Sequence, residues 1–427
     1  MRGHVVFPAY RRNRRMPSGV RPRQMVLKTI LVVALAGILT STMYLVLVVV
    51  AALRFRRRPK TVSAFTPPVS LLKPLHGAEP GLHEYLDSFF QLDYPEFEIL
   101  FCARHESDPG LLIARKVAER HPHVPVRFLT SGEPRWPNAR AYSLNAMKAP
   151  AQYDILVITD SDVRVTPGYL RAVVEPFRDE NVGLVTCAYR GVATAKGFWA
   201  HLEGLGMSVE MTSGVLVAEM LEGMRFALGP SMVVRKRCVD QIGGFQRLGD
   251  YYADDFMLGN LVCANGSAVV LSNHVVDHCV VNTRFAQSLA HQWDWMKSTR
   301  FSRPKGHLGT GLTFGAPFWL ITLAAAVPLG KFWFGLAVFT WTFLARVAQS
   351  LFIGGFIVRD RDAVRLAFLY PLRDLLGFVL WAASYMSRRV GWRDDQFELK
   401  RHGVIRILPL KHPQTLVSTA NRKSSSY

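Results

Sequence analysis

Two carboxylates lie one residue apart at the end of an apolar run. Ile155–Thr159 has the composition of a buried strand, and Asp160-Ser161-Asp162 follows it directly. Open α/β sheets bind their ligands at the carboxyl ends of strands. Mg²⁺ and Mn²⁺ take oxygen ligands, and Mg²⁺ is usually shared between one or two carboxylates and substrate phosphates. The tripeptide therefore indicates a site for a divalent cation and a diphosphate. The alternative is a solvated turn in which Asp162 caps the next helix.

Three more acidic residues stand where helices are predicted to begin. Asp108 precedes Pro109, which is the pattern of an N-cap followed by proline at the first helical position. The same carboxylate can also accept an N–H from a ligand. Asp254 and Asp255 open a helix that runs to about Ala264. Helix N-termini favour acidic residues electrostatically, so capping is again the alternative to a chemical role.

Aromatic and basic residues are mixed in a later segment. The sequence His291-Gln292-Trp293-Asp294-Trp295-Met296-Lys297 predicts a helix that ends shortly before Arg300. Tryptophan and basic residues beside a spanning segment are also the composition of an interfacial belt. The segment is therefore either part of a ligand site or a membrane-surface feature.

Strands and helices are predicted to alternate between Thr61 and about Pro304. This alternation determines where the acidic and aromatic residues described above lie. Short apolar runs predict strands at 69–72, 97–102, 124–129, 155–159 and 183–188. Helical patterns lie between them at 82–91, 109–120, 138–148 and 167–177. Such alternation predicts a mostly parallel sheet with helices on both faces. The loops that follow the strands then converge on one edge of that sheet.

The composition indicates membrane attachment. The 427-residue chain has a formal net charge of +20, together with a mean hydropathy above zero. Residues 29–53 contain no charged residue over 25 positions, and several Arg and Lys follow them at once. This length and this flank predict a transmembrane helix at 28–53. A secretory signal is the alternative, but the run is too long and no small-residue cleavage site follows it.

Three apolar stretches lie near the other end of the chain. Residues 311–330 are uncharged, 332–358 are interrupted only by Arg346, and 366–387 contain Arg373-Asp374. The first two are predicted to span the membrane as a hairpin. The third is predicted to lie in the interface, because an ion pair at mid-bilayer is costly. Together they predict a membrane cluster of two to three helices at 309–387.

The remaining segments complete a five-part organisation. A basic disordered head is predicted at 1–24, an α/β domain at 61–305 and a basic tail at 388–427. Eight Lys or Arg precede the first span and five follow it closely, so charge does not settle its orientation. If translation begins at Met25, the α/β domain is placed inside. Five cysteines without a C-x-x-C pair indicate free thiols in a reducing compartment, which agrees with a cytoplasmic domain.

The order of these motifs resembles a known family. Asp108, Asp160-Ser161-Asp162, Asp255 and the Trp295 helix follow one another as in the ceramide glucosyltransferases of family 21, which belong with the family 2 enzymes of GT-A fold. The resemblance covers about residues 65–305, and the stretches that carry it are 69–75, 93–95, 160–165 and 253–256. Residues 183–187, 372–377 and 381–389 resemble bacterial hopanoid-glycosylating relatives. The fold that the resemblance implies is α/β, of GT-A type, with transmembrane helices at both ends.

The resemblance implies a donor site for a UDP-sugar. The loop from Pro74 to Glu79 would line the nucleotide pocket, and Asp108 would accept an N–H of the uracil base. Arg140 stands where the family keeps a lysine, and its cation would meet phosphate with a forked geometry. Asp160 and Asp162 would hold Mg²⁺ or Mn²⁺ against the diphosphate.

The resemblance also implies an acceptor site. Asp255 would be the general base of a direct displacement that inverts the anomeric carbon. Gly229 would form a floor where the missing side chain leaves room for substrate. The acceptor and diphosphate side would further contain Asp254, His291, Trp295 and Lys297. Asp294 replaces an arginine of the family, so a phosphate or acceptor contact is in question unless Lys297 or Arg300 supplies it.

The sequence thus predicts a membrane-bound inverting glycosyltransferase. It would move glucose or a similar hexose from a UDP-sugar to a hydroxyl of ceramide, diacylglycerol or hopanoid, forming a β-glycolipid. The enzyme is expected in the cell (inner) membrane, multi-pass, with its catalytic domain in the cytoplasm. One alternative is a processive polysaccharide synthase, which usually needs more spanning helices. Another is a catalytically impaired membrane scaffold, which Asp294 motivates. No nucleic-acid partner is expected, because no aromatic recognition motif accompanies the basic residues.

Overall fold

The computed structural model of the protein describes residues 22–58, 64–392 and 395–408. Its strands are β1 Val69–Pro74, β2 Phe97–Ala103, β3 Val126–Thr130, β4 Ile155–Thr159, β5 Val163–Arg164, β6 Val182–Ala193, β7 Ser231–Arg235, β8 Ala268–Val280, β9 Arg389–Trp392, β10 Asp395–Leu399 and β11 Ile405–Ile407. Parts of three predicted segments lie outside the described residues, namely 1–21 of the head, 61–63 of the α/β domain, and 393–394 and 409–427 of the tail.

Helices surround the strands and form the second half of the molecule. The α-helices are α1 Pro22–Arg56, α2 Leu82–Phe90, α3 Pro109–Ala118, α4 Ala139–Lys148, α5 Tyr169–Val174, α6 Phe198–Gly206, α7 Thr212–Glu222, α8 Lys236–Gln241, α9 Asp254–Ala264, α10 Phe285–Ser302, α11 Pro304–Thr310, α12 Ala316–Ala326, α13 Phe332–Gln349, α14 Arg361–Arg365 and α15 Tyr370–Ala383. Two π-helical segments, Met207–Met211 and Ser350–Ile357, continue α6 and α13. Short 3₁₀ turns are Glu175–Arg178, Phe245–Leu248, Ala367–Leu369, Ser384–Met386 and Arg401–Gly403.

One eight-stranded sheet forms the core, in the order β3-β2-β1-β4-β7-β6-β8-β5. The first four strands are mutually parallel, and β6 is parallel to β8. β7 runs antiparallel to both of its neighbours, and β5 runs antiparallel to β8. The sheet is therefore mixed but mostly parallel, which confirms the α/β prediction.

The predicted strands and helices of the α/β region are all present, and the local sequence explains them. In α2 the residues Leu82, Tyr85, Leu86, Phe89 and Phe90 are buried, which is the spacing of one helix face. β1 and β4 read as continuous apolar runs because both of their faces are covered. Strands β5, β7 and β8 were not predicted.

Among the described residues, two helices are long and apolar enough to cross a bilayer, Pro22–Arg56 and the continuous helix Phe332–Ile357. α1 begins earlier than predicted and includes residues 22–24, which had been assigned to the head. α12, between them in the fold, is shorter. Within the predicted tail, β9 to β11 form a separate three-stranded antiparallel sheet.

The charged pair Arg373-Asp374 is buried in α15, and each member has its own partner on another element. Asp374 Oδ2 accepts the N–H groups of Gly315 and Ala316 at 2.8 and 2.7 Å. Asp374 Oδ1 lies 3.3 Å from Nε of Arg346, and Arg373 lies 3.3 Å from a carboxylate oxygen of Glu210. The two residues are therefore neutralised by the surrounding helices, and α15 packs into the cluster that α12 and α13 form.

Candidate functional site

The ends of three neighbouring elements bring the acidic motifs to one edge of the sheet. β4 ends at Thr159, which pairs with Ser231 at the start of the antiparallel β7. Asp160 and the segment Gly229-Pro230 are therefore adjacent at the carboxyl end of β4. The N-terminus of α9 brings Asp254 and Asp255 to the same place, as the contacts of Arg140 and Gly229 with these residues demonstrate.

Arg140, on α4, connects three of these groups. Its Nε donates to Asp160 Oδ1 at 2.9 Å, its Nη1 to Asp254 Oδ2 at 2.5 Å, and its Nη2 to the carbonyl oxygen of Gly229 at 3.0 Å. Burial raises the pKa of Asp160, and the charge of Arg140 opposes that shift. A lysine has a single ammonium and does not match three acceptors in a fork.

Gly229 separates the two carboxylates that the resemblance assigns to different steps. Its N–H donates to Asp255 Oδ2 at 2.7 Å. A Cβ added at this position would lie 3.1 Å from Asp255 Oδ2 and 3.3 Å from Asp160 Oδ2. The missing side chain therefore leaves open the space between Asp160 and Asp255.

The Asp255 carboxyl group has the acidity of a general base. Burial raises its pKa to about 6, with a further contribution from Asp254 and an opposing one from Arg140. The Phe256 N–H donates to Oδ1 at 2.7 Å, and Gly229 holds the other oxygen. A catalytic base is most efficient when its pKa lies near the working pH, and this value is closer to neutrality than that of an ordinary aspartate.

Asp162 retains an unsatisfied oxygen. Its Oδ2 lies 3.4 Å from His278 Nε2, whereas its Oδ1 is buried and has no hydrogen-bond partner among the described residues. A buried carboxylate oxygen without a donor suits a hard cation. No cluster of three or more His, Cys, Asp or Glu ligands occurs in the described part of the chain. A cation held by Asp160 and Asp162 would thus need substrate oxygens as well, which is how Mg²⁺ is usually bound.

Lys73, at the end of β1, contacts the turn Asp160-Ser161-Asp162. It was not among the predicted site residues. Its Nζ donates to the carbonyl oxygen of Asp160 at 2.6 Å and lies 4.0 Å from the centre of the Phe89 ring. Burial lowers the pKa of Lys73 to about 7, against the opposing charges of Asp160 and Asp162. A lysine directly after Leu71-Leu72, within a buried strand, is the sequence signal for it. His278, also missed, is signalled by a polar pair inside apolar β8.

Asp108 serves as the N-cap of α3 and also joins two loops. Its Oδ1 accepts the N–H groups of Gly110 and Leu111 at 2.8 and 3.3 Å. Its Oδ2 accepts the Gly77 N–H at 3.0 Å, in the loop from Pro74 to Glu79. The capping interpretation is thus confirmed, and the carboxylate fixes the loop that was predicted to line the nucleotide pocket. Pro74 ends β1, and the charge of Glu79 acts on Lys73.

His291 and Trp295 lie on the side of α10 that faces the turn Asp160-Ser161-Asp162. Their ring centres are 4.4 Å apart, and the Trp295 ring meets His278 edge to face at 6.0 Å. His278 in turn contacts Asp162. The structure therefore connects these two predicted residues to the carboxylates through ring contacts.

Lys297 and Arg300 contact a different part of the molecule. Lys297 is buried, pairs with Asp294 at 2.6 Å and donates to the carbonyl oxygen of Arg389. Arg300 donates to the carbonyl oxygen of Ser387 at 3.0 Å, and Asp294 accepts the Gly391 N–H at 3.0 Å. The structure does not bring Lys297 to the carboxylates, because its ammonium is engaged with β9. Both cations thus contact backbone carbonyls of residues 387–389, and neither contacts Asp160 or Asp162, where the resemblance implies an arginine in place of Asp294.

The chain is similar to two solved structures with TM-scores below 0.5. A mannosyltransferase from Pyrobaculum calidifontis, solved with GDP-Man and Mn²⁺, has a TM-score of 0.47 and 18% identity, covering 83% of this chain and 99% of that chain. The glucosyl-3-phosphoglycerate synthase from Mycobacterium tuberculosis, solved with phosphoglyceric acid, has a TM-score of 0.33 and 18% identity, covering 52% of this chain and 75% of that chain.

Similarity in sequence to known proteins covers most of the chain. Ceramide glucosyltransferase 1 of Caenorhabditis elegans is 25% identical over 350 residues, which are 80% of this chain and 73% of the relative. The ceramide glucosyltransferase of Komagataella phaffii is 31% identical over 157 residues, 36% of this chain and 31% of the relative. Residues 29–405 match the family model described as Glycosyl transferase family 21. Because that match spans most of the chain, the protein belongs to glycosyl transferase family 21 and is a sugar-nucleotide-dependent glycosyltransferase.

Proposed function

We propose that the protein transfers glucose or a similar hexose from a UDP-sugar to a hydroxyl group of a membrane lipid, with inversion at the anomeric carbon. The arrangement around Gly229 carries this proposal. Asp255, with a pKa of about 6, and Asp160 lie on two sides of a residue that has no side chain. A base and a diphosphate-binding carboxylate on opposite sides of an open space suit a single displacement at one carbon.

On the donor side, Asp160 and Asp162 would hold Mg²⁺ or Mn²⁺, and the unsatisfied Asp162 Oδ1 supports this. Such an ion, when bound, would offset the negative charge of the departing UDP. Arg140 adds a permanent positive charge on the same side, and Lys73, with a pKa of about 7, adds a second one when it is protonated. Asp108 and the loop from Pro74 to Glu79 would bind the nucleoside, with one Asp108 oxygen already tying the loop through Gly77.

On the acceptor side, Asp255 would remove the proton of the attacking hydroxyl. The new bond from the acceptor oxygen to the anomeric carbon forms as the bond to UDP breaks, and UDP leaves with the electron pair. The proton passes to Asp255, and an α-linked donor gives a β-glycoside. The Gly229 N–H, donating at 2.7 Å, keeps one oxygen of the base in place.

The acceptor would be a membrane lipid, and ceramide, diacylglycerol and hopanoid are its candidate classes. Support comes from the ceramide glucosyltransferase relatives and from the two apolar helices that are long enough to span a bilayer. Large side chains on these helices are exposed, among them Val32 at 65% and Trp333 at 78%. Exposed apolar surface of this kind suits a lipid environment. The catalytic domain would lie on the cytoplasmic side of the cell (inner) membrane, with several spans anchoring it.

The test is donor consumption by the purified protein. UDP-glucose, UDP-galactose and UDP-N-acetylglucosamine are supplied in turn with Mg²⁺ or Mn²⁺ and a lipid extract, and released UDP is measured. We expect one donor to be consumed in a lipid-dependent manner. A protein that consumes none of the three would contradict the proposed function and would favour a scaffold.

A further inference from the structure

Glu203 is an acidic residue buried in the apolar helix α6. Only 1% of its surface is exposed, and the residues beside it, Leu202 and Leu205, belong to the core. Its carboxylate is held by two side chains from elsewhere in the chain. His291 Nδ1 lies 2.6 Å from one oxygen, and Asn282 Nδ2 lies 3.2 and 3.3 Å from the two oxygens. A buried carboxylate with such specific partners needs a reason, because burying a charge is costly.

These contacts bear on the proton positions of His291. With the Glu203 side chain as the acceptor, the 2.6 Å contact assigns a proton to Nδ1. Asn282 Nδ2, which is also a donor, lies 3.3 Å from Nδ1 and does not compete as an acceptor. The ring therefore retains Nε2 for a ligand, and it becomes a cation when Nε2 is protonated as well.

The charges around His291 favour the cation. Burial opposes protonation, yet the hydrogen bond and charge of Glu203 raise the pKa of His291 above its usual value. Asp162, beyond the sheet edge, and Asp294, on α10 itself, act in the same direction. About 39% of the His291 side chain remains exposed, whereas Glu203 is enclosed. Glu203 is thus a fixed counter-charge behind a histidine that solvent or a ligand can reach.

His291 is connected to the candidate donor site through two aromatic rings. Its ring contacts Trp295, Trp295 contacts His278, and His278 contacts Asp162. We propose that Glu203 is a positioning residue, which fixes His291 through Nδ1 and presents Nε2 as a charged donor to the diphosphate of the sugar nucleotide. This inference rests on the proposed function, because it assumes that a nucleotide diphosphate binds at Asp160 and Asp162. Charge-assisted contacts to phosphate are among the stronger hydrogen bonds.

The test is the pH dependence of UDP binding, measured by calorimetry with Mn²⁺ and without acceptor lipid. Glu203→Gln removes the counter-charge, so His291 is expected to lose its proton at lower pH than in the wild type. We expect similar affinities at pH 6 and an affinity about tenfold weaker for the variant at pH 8, the order of one lost hydrogen bond from a charged group. Adding His291→Arg to Glu203→Gln supplies a permanent charge and is expected to restore affinity at pH 8. Glu203→Asp, which keeps a carboxylate, is expected to retain most of the wild-type profile.

Glu98→Gln is the matched control. Glu98 is equally buried and accepts from Ser70 and from the Gln152 N–H at 2.7 and 2.6 Å, at the opposite end of the sheet. Its loss is expected to lower stability without changing the pH profile. A Glu203→Gln variant with the wild-type profile, or with a pH-independent loss that His291→Arg does not restore, would contradict the inference alone. A wild-type protein that binds no UDP at any pH would contradict the proposed function, and the inference with it.

Discussion

At the scale of single residues, Gly229 is the position where an added side chain would meet both Asp160 and Asp255. A methyl group there would lie 3.1 Å from Asp255 Oδ2 and 3.3 Å from Asp160 Oδ2, so both carboxylates must move. We expect Gly229→Ala to lower the transfer rate on the order of 100-fold, because small displacements of reacting groups have effects of that size. Released UDP per unit time, with lipid acceptor present, is the measurement.

Gly214→Ala is the control for this substitution. Gly214 lies in α7, and a methyl group there would have no neighbour within 4 Å. Alanine is the better helix former by about 1 kcal/mol, so stability should stay the same or rise. If Gly229→Ala were as active as Gly214→Ala, the open space between the carboxylates would have no catalytic role.

The acidity of Asp255 predicts a pH profile. A base with a pKa of about 6 is protonated below that pH, so the transfer rate should fall as pH drops through about 6. Above pH 6, where the wild-type carboxylate is ionised, Asp255→Asn should reduce the rate by about 100- to 10,000-fold. The rate between pH 5 and 8 measures both effects. A wild-type rate that stays constant down to pH 5 would contradict this assignment.

The same shift predicts the sign of a stability effect. Because folding raises this pKa, the folded state binds the proton more tightly between the ordinary carboxyl range and about pH 6. The contribution of Asp255 to stability is therefore present at low pH and is lost as pH rises through about 6. Asp255→Asn should consequently keep or increase the melting temperature at pH 7 while it abolishes transfer.

At the scale of elements, Asp294 attaches the three-stranded sheet to α10. It pairs with the buried Lys297 and accepts the Gly391 N–H of β9. We expect Asp294→Arg to destabilise the protein by about 3 kcal/mol, because it leaves a buried ammonium without its partner and adds a like charge. It should not increase activity. Thermal unfolding in detergent measures the loss, and Asp294→Asn, which keeps an acceptor for Gly391, should lose less.

The elements differ in how far the sequence predicted them. The strands around Asp160 and their helices follow from local patterns, since apolar runs and one-faced helices reflect burial directly. β7 and β8 were missed because polar residues interrupt their apolar patterns: β7 begins with Ser231 and ends with Arg235, and β8 contains Asp277 and His278. The contact of Lys297 with Arg389 was not predicted, because the two residues are 92 positions apart and no local pattern reports it.

The contacts at the candidate site divide in the same way, into those that sequence position indicates and those that it does not. Asp160, Asp254, Asp255 and Gly229 come together because each lies at the end of a strand or the start of a helix, which sequence spacing can indicate. Glu203 and Lys73 act through contacts with residues on other strands and helices. Such contacts depend on the packing of the sheet and its helices, which the sequence pattern does not specify.

At the scale of the whole molecule, the buried Arg346 connects several helices of the helical cluster to one another. It contacts Ser41 of α1, Thr313 before α12, Gln349 of α13 and Asp374 of α15, and only 1% of it is exposed. Arg346→Leu leaves Asp374 buried without its charge partner. We expect a loss of about 3–5 kcal/mol, seen as a lower unfolding temperature in detergent.

Arg365→Leu is the control for that prediction. Arg365 is 74% exposed on α14 and lies 3.8 Å from Asp362, so its loss should change stability by less than about 0.5 kcal/mol. Equal unfolding temperatures for the two variants would mean that Arg346 does not hold the cluster together.

The most direct test of the account is the lipid content of a host that makes no glycolipids of its own. The wild-type protein and Asp255→Asn are expressed side by side, and the lipids are analysed by mass spectrometry. We predict a new hexosyl lipid with the wild type and none with the variant, which would identify the acceptor, the sugar class and the base together. No new glycolipid with the wild type, or equal product with Asp255→Asn, would contradict it.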